Sequence, residues 1–169
     1  LNDKSGMAVT LGNIGYIYMQ QKADYKAMSY YLLALKTATE IQEKNRMGLL
    51  YSDIGGIYEN QKNYDAALSH YFKGLELSSE AGDVDAISHH MYNLGKAYQK
   101  KNKIDSALYW GNQSMKHAQD VGSPNSIRMA AQLLKNTYAA QGNTAKALEY
   151  FELYFKMNDS INNEETKKA

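Results

Sequence analysis

The chain has 169 residues, of which 44% are hydrophobic and 22% are charged, which is long enough for one elongated domain. Its formal net charge of +1 argues against nucleic acid as a partner of this region, because such proteins present a strongly basic footprint. The sequence contains no cysteine, which excludes disulfides and thiolate metal sites and is compatible with an oxidising compartment. No apolar run approaches the roughly 20 residues that span a bilayer.

Apolar residues recur at three- and four-residue steps, as in Leu68, Tyr71 and Leu75, and turn-forming residues separate these runs. This pattern predicts eight helices and no strands. In chain order the predicted helices cover residues 7–21, 25–44, 48–61, 64–81, 84–101, 105–121, 124–141 and 144–160. Pro124 fits the first turn of its helix, where its missing N–H leaves no hydrogen bond unmade.

One pattern returns every 40 residues, four times over. The first position of the pattern holds Gly15, Gly55, Gly95 and Lys135. Three residues later stand Tyr18, Tyr58, Tyr98 and Tyr138. The next two fixed positions hold Ala27, Ala67, Ala107 and Ala147, then Tyr31, Tyr71, Gly111 and Phe151. Such a repeat is one supersecondary unit that buries its apolar face only by stacking on its neighbours.

The order Gly-x-x-Tyr followed by Ala-x-x-x-aromatic resembles the tetratricopeptide signature over almost the whole chain. A 40-residue period would also suit HEAT or armadillo repeats, but this residue order argues against both. The resemblance implies an all-α fold, an α-solenoid of four helix pairs that form a right-handed superhelix. The repeats would span residues 7–46, 47–86, 87–126 and 127–160. Residues 1–6 would be the tail of a preceding repeat or a linker, and residues 161–169 the start of a downstream linker or coiled coil.

The repeat glycines need a packing reason, because glycine inside a helix costs about 0.5–1 kcal/mol relative to alanine. Close approach of the two helices of a repeat supplies one. We expect the backbone of the second helix, at Ala27, Ala67 or Ala107, to come near the glycine.

The sequence offers no catalytic constellation. The four histidines, His70, His89, His90 and His117, lack the spacing of a zinc-binding helix, and structural or surface positions explain them. Asp83 and Asp85 stand at a helix start, where capping explains them. We therefore predict a protein that is not an enzyme and that needs no cofactor or metal.

The resemblance points instead to a binding groove lined by the first helix of each repeat. In peptide-binding relatives, an asparagine two residues before the repeat glycine bonds the backbone of an extended peptide. Asn13 and Asn93 match that position, Asp53 is an imperfect substitute and Leu133 is a departure. The predicted groove residues are Asn13, Tyr16, Ser52, Asp53, His89, Tyr92, Asn93, Lys96, Gln99 and Lys100. The alternative is that the asparagines bond within the array or face water. The basic clamp that some relatives use for a C-terminal carboxylate is not evident.

Residues 158–168 form a polar stretch that resembles the exit of tetratricopeptide sensor regions. That resemblance implies the sensory part of a larger two-component signalling protein with a protein or peptide ligand. It also implies an extracytoplasmic (periplasmic) location, with the membrane reached only through segments outside this chain. A homodimer through the C-terminal helix would fit this context. The alternatives are a scaffold or assembly protein without signalling output, and a cytoplasmic location.

Overall fold

The computed structural model describes the backbone of residues 3–168 and the side chains of residues 3–163. Over this range the chain forms eight α-helices and no strand. In chain order they are α1 (Lys4–Gln20), α2 (Asp24–Glu40), α3 (Lys44–Asn60), α4 (Tyr64–Ala81), α5 (Val84–Lys100), α6 (Ile104–Val121), α7 (Pro124–Gln141) and α8 (Thr144–Lys168). The all-α prediction is confirmed, and Pro124 stands in the first turn of α7 as expected.

Most predicted boundaries agree with the structure to within one residue, and the exceptions have local causes. The prediction started α1 too late, because the carboxylate of Asp3 accepts a hydrogen bond from the N–H of Gly6 at 2.8 Å and caps the helix. The predicted junction between α2 and α3 is wrong by four residues on both sides. There the chain turns at Gln42, whose φ of 54° ends the helix. At the other end, α8 continues to Lys168 rather than stopping at residue 160.

The helices end next to left-handed backbone positions that recur about every 20 residues. These positions are Lys22, Gln42, Lys62, Gly82, Asn102, Gly122 and Gly142. Glycine adopts this conformation without steric cost, whereas other L-residues pay roughly 1 kcal/mol. Four of the seven turns therefore hold a residue that is strained locally, and packing of the flanking helices keeps the turn in place.

The helices pack in two compact units, residues 1–86 and residues 87–169, called here the first and second unit. Helices α1 to α4 form the first unit, and α6 to α8 belong to the second. Helix α5 begins at the end of the first unit and lies mainly in the second.

In the first unit, each repeat glycine receives a tyrosine ring, an arrangement called here the aromatic socket. A Cβ atom added to Gly15 would lie 2.8 Å from Cδ1 of Tyr31, and one added to Gly55 would lie 2.6 Å from Cε1 of Tyr71. Both tyrosines are buried, with exposures of 0% and 2%. The glycines thus have the packing reason that the sequence demanded. The predicted contact was wrong in one respect, because the nearest atoms belong to these rings and not to the backbone of the second helix.

The core of the first unit joins α1, α2 and α3 through small and aliphatic side chains. Its buried members are Ala8, Ala27, Tyr31, Ala34, Ala38, Leu50, Ile54 and Ile57. The alanines of α2 let α3 approach closely, and the branched side chains of α3 fill the space between them. This packing holds the first helices of the two repeats, α1 and α3, next to each other.

In the second unit, Gly95 is packed by different partners. A Cβ atom there would lie 2.6 Å from Cδ2 of Leu133, 3.2 Å from the backbone N of Gly111 and 3.3 Å from the carbonyl O of Ala107. Close backbone approach is therefore confirmed in this repeat. Leu133 of α7 lies where the absent aromatic ring of Gly111 would otherwise pack, which explains why a leucine replaces the expected asparagine.

The fourth repeat has no socket, because Lys135 stands in the glycine position. Its Nζ lies 5.6 Å from the ring centroid of Phe151 and 5.7 Å from that of Tyr154, as in cation–π contacts. Phe151 consequently stays at the surface, 42% exposed. The buried core of this unit includes Met115, Ala130, Ala131, Leu134 and Tyr138.

Candidate ligand-binding surface

Four of the predicted groove residues lie in the first unit, on the adjacent helices α1 and α3. Asn13 is exposed, Tyr16 is 52% exposed and Asp53 is half-buried. Ser52 is buried at 6% exposure and so lies beneath the surface. The remaining three, with Gly12 and Gly56, are called here the first-helix surface.

Asp53 carries the carboxyl group of this surface, and the pKa of that carboxyl is strongly shifted. Burial raises the pKa of its carboxyl to about 7, and the positive charge of Arg46, seven residues earlier on α3, offsets only part of that rise. The hydroxyl of Tyr31, on α2, lies close enough to Asp53 to feel its charge. Its pKa is raised first by burial, then by the charge of Asp53, and last by the nearby Tyr16. The carboxyl of Asp53 is therefore partly protonated near neutral pH.

The other six predicted residues lie on α5, in the second unit. His89 and Tyr92 form a stacked pair with ring centroids 6.4 Å apart and an interplanar angle of 19°. The pKa of the His89 imidazole is lowered, first by loss of solvent around the ring and second by the charge of Lys96. The residue as a whole is nevertheless exposed. His89 is thus favoured in its neutral form. Asn93 is buried at 7% exposure.

Gln99 and Lys100 occupy the end of α5. The amide of Gln99 donates a hydrogen bond of 2.8 Å to Oγ1 of Thr137 on α7. Thr137 in turn donates to the carbonyl of Leu133 at 2.7 Å, so the amide of Gln99 already joins α5 to α7. Lys100 is exposed. The role of all ten residues in ligand contact stays a prediction, and the structure brings them together only as one group of four and one group of six.

Two residues are absent from the predicted groove residues: Arg46, which lies near this surface, and Gly56, which belongs to it. No sequence pattern marks Arg46, because it affects the surface only through its proximity to Asp53 in the folded chain. Gly56 did give a signal: it is a second helical glycine, directly after the repeat glycine Gly55. A Cβ atom added at Gly56 would have no neighbour within 4 Å, so packing does not explain this glycine.

The described residues contain no group of three or more His, Cys, Asp or Glu side chains that could hold a metal ion. None of the helices in the described part of the chain is long and apolar enough to cross a membrane.

Known proteins have the same architecture. Solved structures that share the fold include the following three. Aspartyl phosphate phosphatase F from Bacillus subtilis has a TM-score of 0.89 and 18% identity, covering 96% of this chain and 43% of that chain. A Rap protein complexed with competence and sporulation factor has a TM-score of 0.85 and 20% identity, covering 93% and 44%. The Rap conjugation gene regulator of plasmid pLS20, in complex with the Phr* peptide, has a TM-score of 0.85 and 17% identity, covering 99% and 46%.

This chain spans less than half the length of these three proteins, and at such identities the likeness establishes the fold alone. No curated protein sequence matches the chain. Two family models, both described as tetratricopeptide repeat, match residues 8–41 and residues 46–120, together more than half of it. The repeat signature, the paired helices and these two matches agree, and the chain belongs to the tetratricopeptide repeat proteins.

Proposed function

We propose that the chain is a protein- or peptide-binding module whose ligand lies along the first helices of its repeats. The observation that carries this proposal is Asn13, an exposed asparagine in the middle of α1. Asparagine is among the poorer helix formers, and no packing requirement explains it at an exposed position. The same register holds Asp53 in α3 and Asn93 in α5.

A side-chain amide suits the recognition of an extended peptide. It offers two donors and one acceptor group, and so can pair with both the C=O and the N–H of a peptide backbone. Two of the similar structures carry a factor or a peptide as their bound partner, which supports the same class of ligand here. We propose no catalytic activity, no cofactor, no metal and no nucleic-acid partner for this region.

We also propose a signalling context, in which this chain is the sensory region of a larger two-component protein. It would lie outside the cytoplasm, with the membrane reached through other segments. The exposed apolar side chains of α8, namely Leu148, Phe151 and Phe155, support a homodimer through this helix. The extension of α8 to Lys168 is compatible with a continuing helix.

The binding proposal is tested by selecting a phage-displayed library of random linear peptides on the chain and measuring the affinity of the best peptide. Asn13→Ala and Asn93→Ala should each weaken binding by about 1–3 kcal/mol while circular dichroism shows unchanged helix content. The control is Lys73→Ala on α4, an exposed second-helix residue whose loss should leave the affinity unchanged. Binding that depends on Lys73 and Glu76 but not on the asparagines would place the ligand on the second helices and overturn the proposal.

The dimer proposal is tested on the full-length protein by analytical ultracentrifugation. Phe151→Ser with Phe155→Ser should shift a dimer toward monomer, whereas Tyr25→Ser, at a still more exposed aromatic on α2, should not. A full-length protein that stays monomeric well above cellular concentrations would remove this part of the proposal.

A further inference from the structure

Gly56 is a helical glycine that internal packing does not require. Glycine at this position costs about 1 kcal/mol relative to alanine. The repeat glycines Gly15, Gly55 and Gly95 have a compensating contact below 3 Å from an added Cβ atom, but Gly56 has no neighbour within 4 Å. The same position holds Tyr16, Lys96 and Asn136 in the other repeats. Gly56 therefore leaves an open recess where every other first helix places a side chain.

The recess lies beside a carboxyl group. Asp53 is one helical turn before Gly56, so both are on the same face of α3. No described residue forms a hydrogen bond or an ion pair with the Asp53 carboxylate, although this group is half-buried. A half-buried carboxylate has lost part of its hydration, and no hydrogen bond from a described residue replaces what is lost.

The charged and titratable groups around Asp53 leave room for one more cation. Among the described residues they include Tyr31 from α2, with Tyr16 of α1 beside it, and Arg46 from α3, which is the positive group of these three. Arg46 does not neutralise the carboxylate, because the pKa of Asp53 stays near 7 despite this arginine. The exposed ring of Tyr16 also offers a face to a cation.

We propose that Asp53 and the Gly56 recess make the first-helix surface selective for a ligand carrying a cationic nitrogen, which enters the recess and bonds the carboxylate. This inference rests on the proposed function. An ammonium group at a peptide N-terminus and the side chain of a lysine or arginine share this chemistry. An uncharged peptide would offer Asp53 hydrogen bonds without a compensating charge, and only the protonated form of Asp53 could both donate and accept, as the asparagines at positions 13 and 93 can.

The test uses the phage-displayed library on three forms of the chain: wild type, Asp53→Asn and, as a matched control in the second unit, the exposed Asp105→Asn. Wild type and Asp105→Asn should enrich lysine or arginine at one fixed position, and Asp53→Asn should lose that enrichment while still binding peptides. For the best wild-type peptide, Asp53→Asn should reduce the affinity about tenfold, as expected for the loss of one charge-assisted hydrogen bond. Synthetic versions, one N-acetylated and one with norleucine at the enriched lysine or arginine, identify which nitrogen is bound.

A second variant separates the recess from the charge. Gly56→Ala should raise the melting temperature and still reduce the affinity of the cationic peptide about tenfold, a combination that structural damage does not produce. The cationic peptide should also bind more tightly at about pH 8 than at about pH 5.5, because Asp53 is protonated at the lower value.

The outcomes distinguish the two proposals. The selectivity would be overturned if wild type enriched peptides without a preference for lysine or arginine. It would also be overturned if Asp53→Asn enriched lysine or arginine as strongly as wild type does. Either result would leave peptide binding in place. Failure to enrich any peptide would remove the proposed function and this inference together.

Discussion

The two units fill the space above their repeat glycines with different side chains. In the first unit the ring comes from the second helix of the same repeat, as Tyr31 above Gly15 and Tyr71 above Gly55. In the second unit Gly111 supplies no ring, and Leu133 reaches Gly95 from the next repeat. The volume to be filled is thus maintained across the repeats, whereas the residue that fills it is not.

The comparison also accounts for two departures from the repeat pattern at once. Gly111 at the aromatic position and Leu133 at the asparagine position are both exceptions in the sequence. The side chain of Leu133 and the backbone of Gly111 meet around Gly95, so the leucine occupies space that the absence of a side chain at position 111 leaves empty. A substitution that overfills or empties this space should therefore be costly in either unit. Four predictions test the differences between the two units.

The largest effect is expected from Gly55→Leu, which should lower the free energy of unfolding by about 3 kcal/mol, at the upper end for overpacking. Even a Cβ atom at this position would meet the Tyr71 ring at 2.6 Å. Urea denaturation measures the change. Gly56→Leu is the matched control one residue along, and it should be neutral or slightly stabilising because the space there is open. Equal stability of Gly55→Leu and the wild type would contradict the aromatic socket.

For the second unit, Leu133→Ala should cost about 2–3 kcal/mol, because it opens a cavity between Gly95 and Gly111. Leu133 is 3% exposed, whereas the control residue Leu148 on α8 is 56% exposed. Leu148→Ala should cost well under 1 kcal/mol by the same denaturation assay. If both variants lost equally little, Leu133 would not be the group that replaces the missing ring.

The asparagine position gives a smaller, pH-dependent contrast between Asp53 and Asn93. The pKa of Asp53 is about 7 in the folded chain against an ordinary value of 3.8, so the folded state binds the proton more tightly than the unfolded state. Stability from this group is present below about pH 4 and is lost as the pH rises through about 7. Asp53→Asn should therefore melt at a higher temperature than wild type at about pH 8, by an amount equivalent to about 1 kcal/mol, with the gain absent at about pH 4.

The same contrast has a reciprocal test. Asn93→Asp should introduce this pH dependence into the second unit, because position 93 is even more buried. If the melting temperatures of Asp53→Asn and wild type differed by the same amount at both pH values, Asp53 would not titrate as described.

The smallest effect concerns the turns. Gln42 and Gly122 hold equivalent left-handed positions, with φ of 54° and 71°. Gln42→Gly should stabilise the chain by about 0.5–1 kcal/mol, because glycine adopts this conformation without strain. Gly122→Gln should destabilise it by a similar amount. Calorimetry of the two variants would contradict this reasoning if both shifted the melting temperature in the same direction.

Prediction from sequence succeeded for the helix count and for most boundaries, because both depend on local periodicity and turn residues. It placed the α2–α3 junction wrongly because glutamine carries no turn signal, and Gln42 is held in its left-handed conformation by the packed helices on each side. The candidate surface was only partly predictable. Asn13 could be read from its register, whereas the depth of Ser52 and the bond between Gln99 and Thr137 depend on neighbouring helices.

By itself, the sequence determined the family and the all-helical repeat, since a 40-residue period with fixed small and aromatic positions leaves few other ways to bury an apolar face. Only the tertiary structure decided which group fills each glycine position, which carboxyl has a raised pKa, and which glycine leaves open space. These properties depend on distances between residues far apart in the chain: Leu133 lies 38 residues after Gly95, and Tyr31 lies 22 residues before Asp53. A periodic pattern specifies that such positions meet, but the atoms that meet there are set by the packing of whole helices.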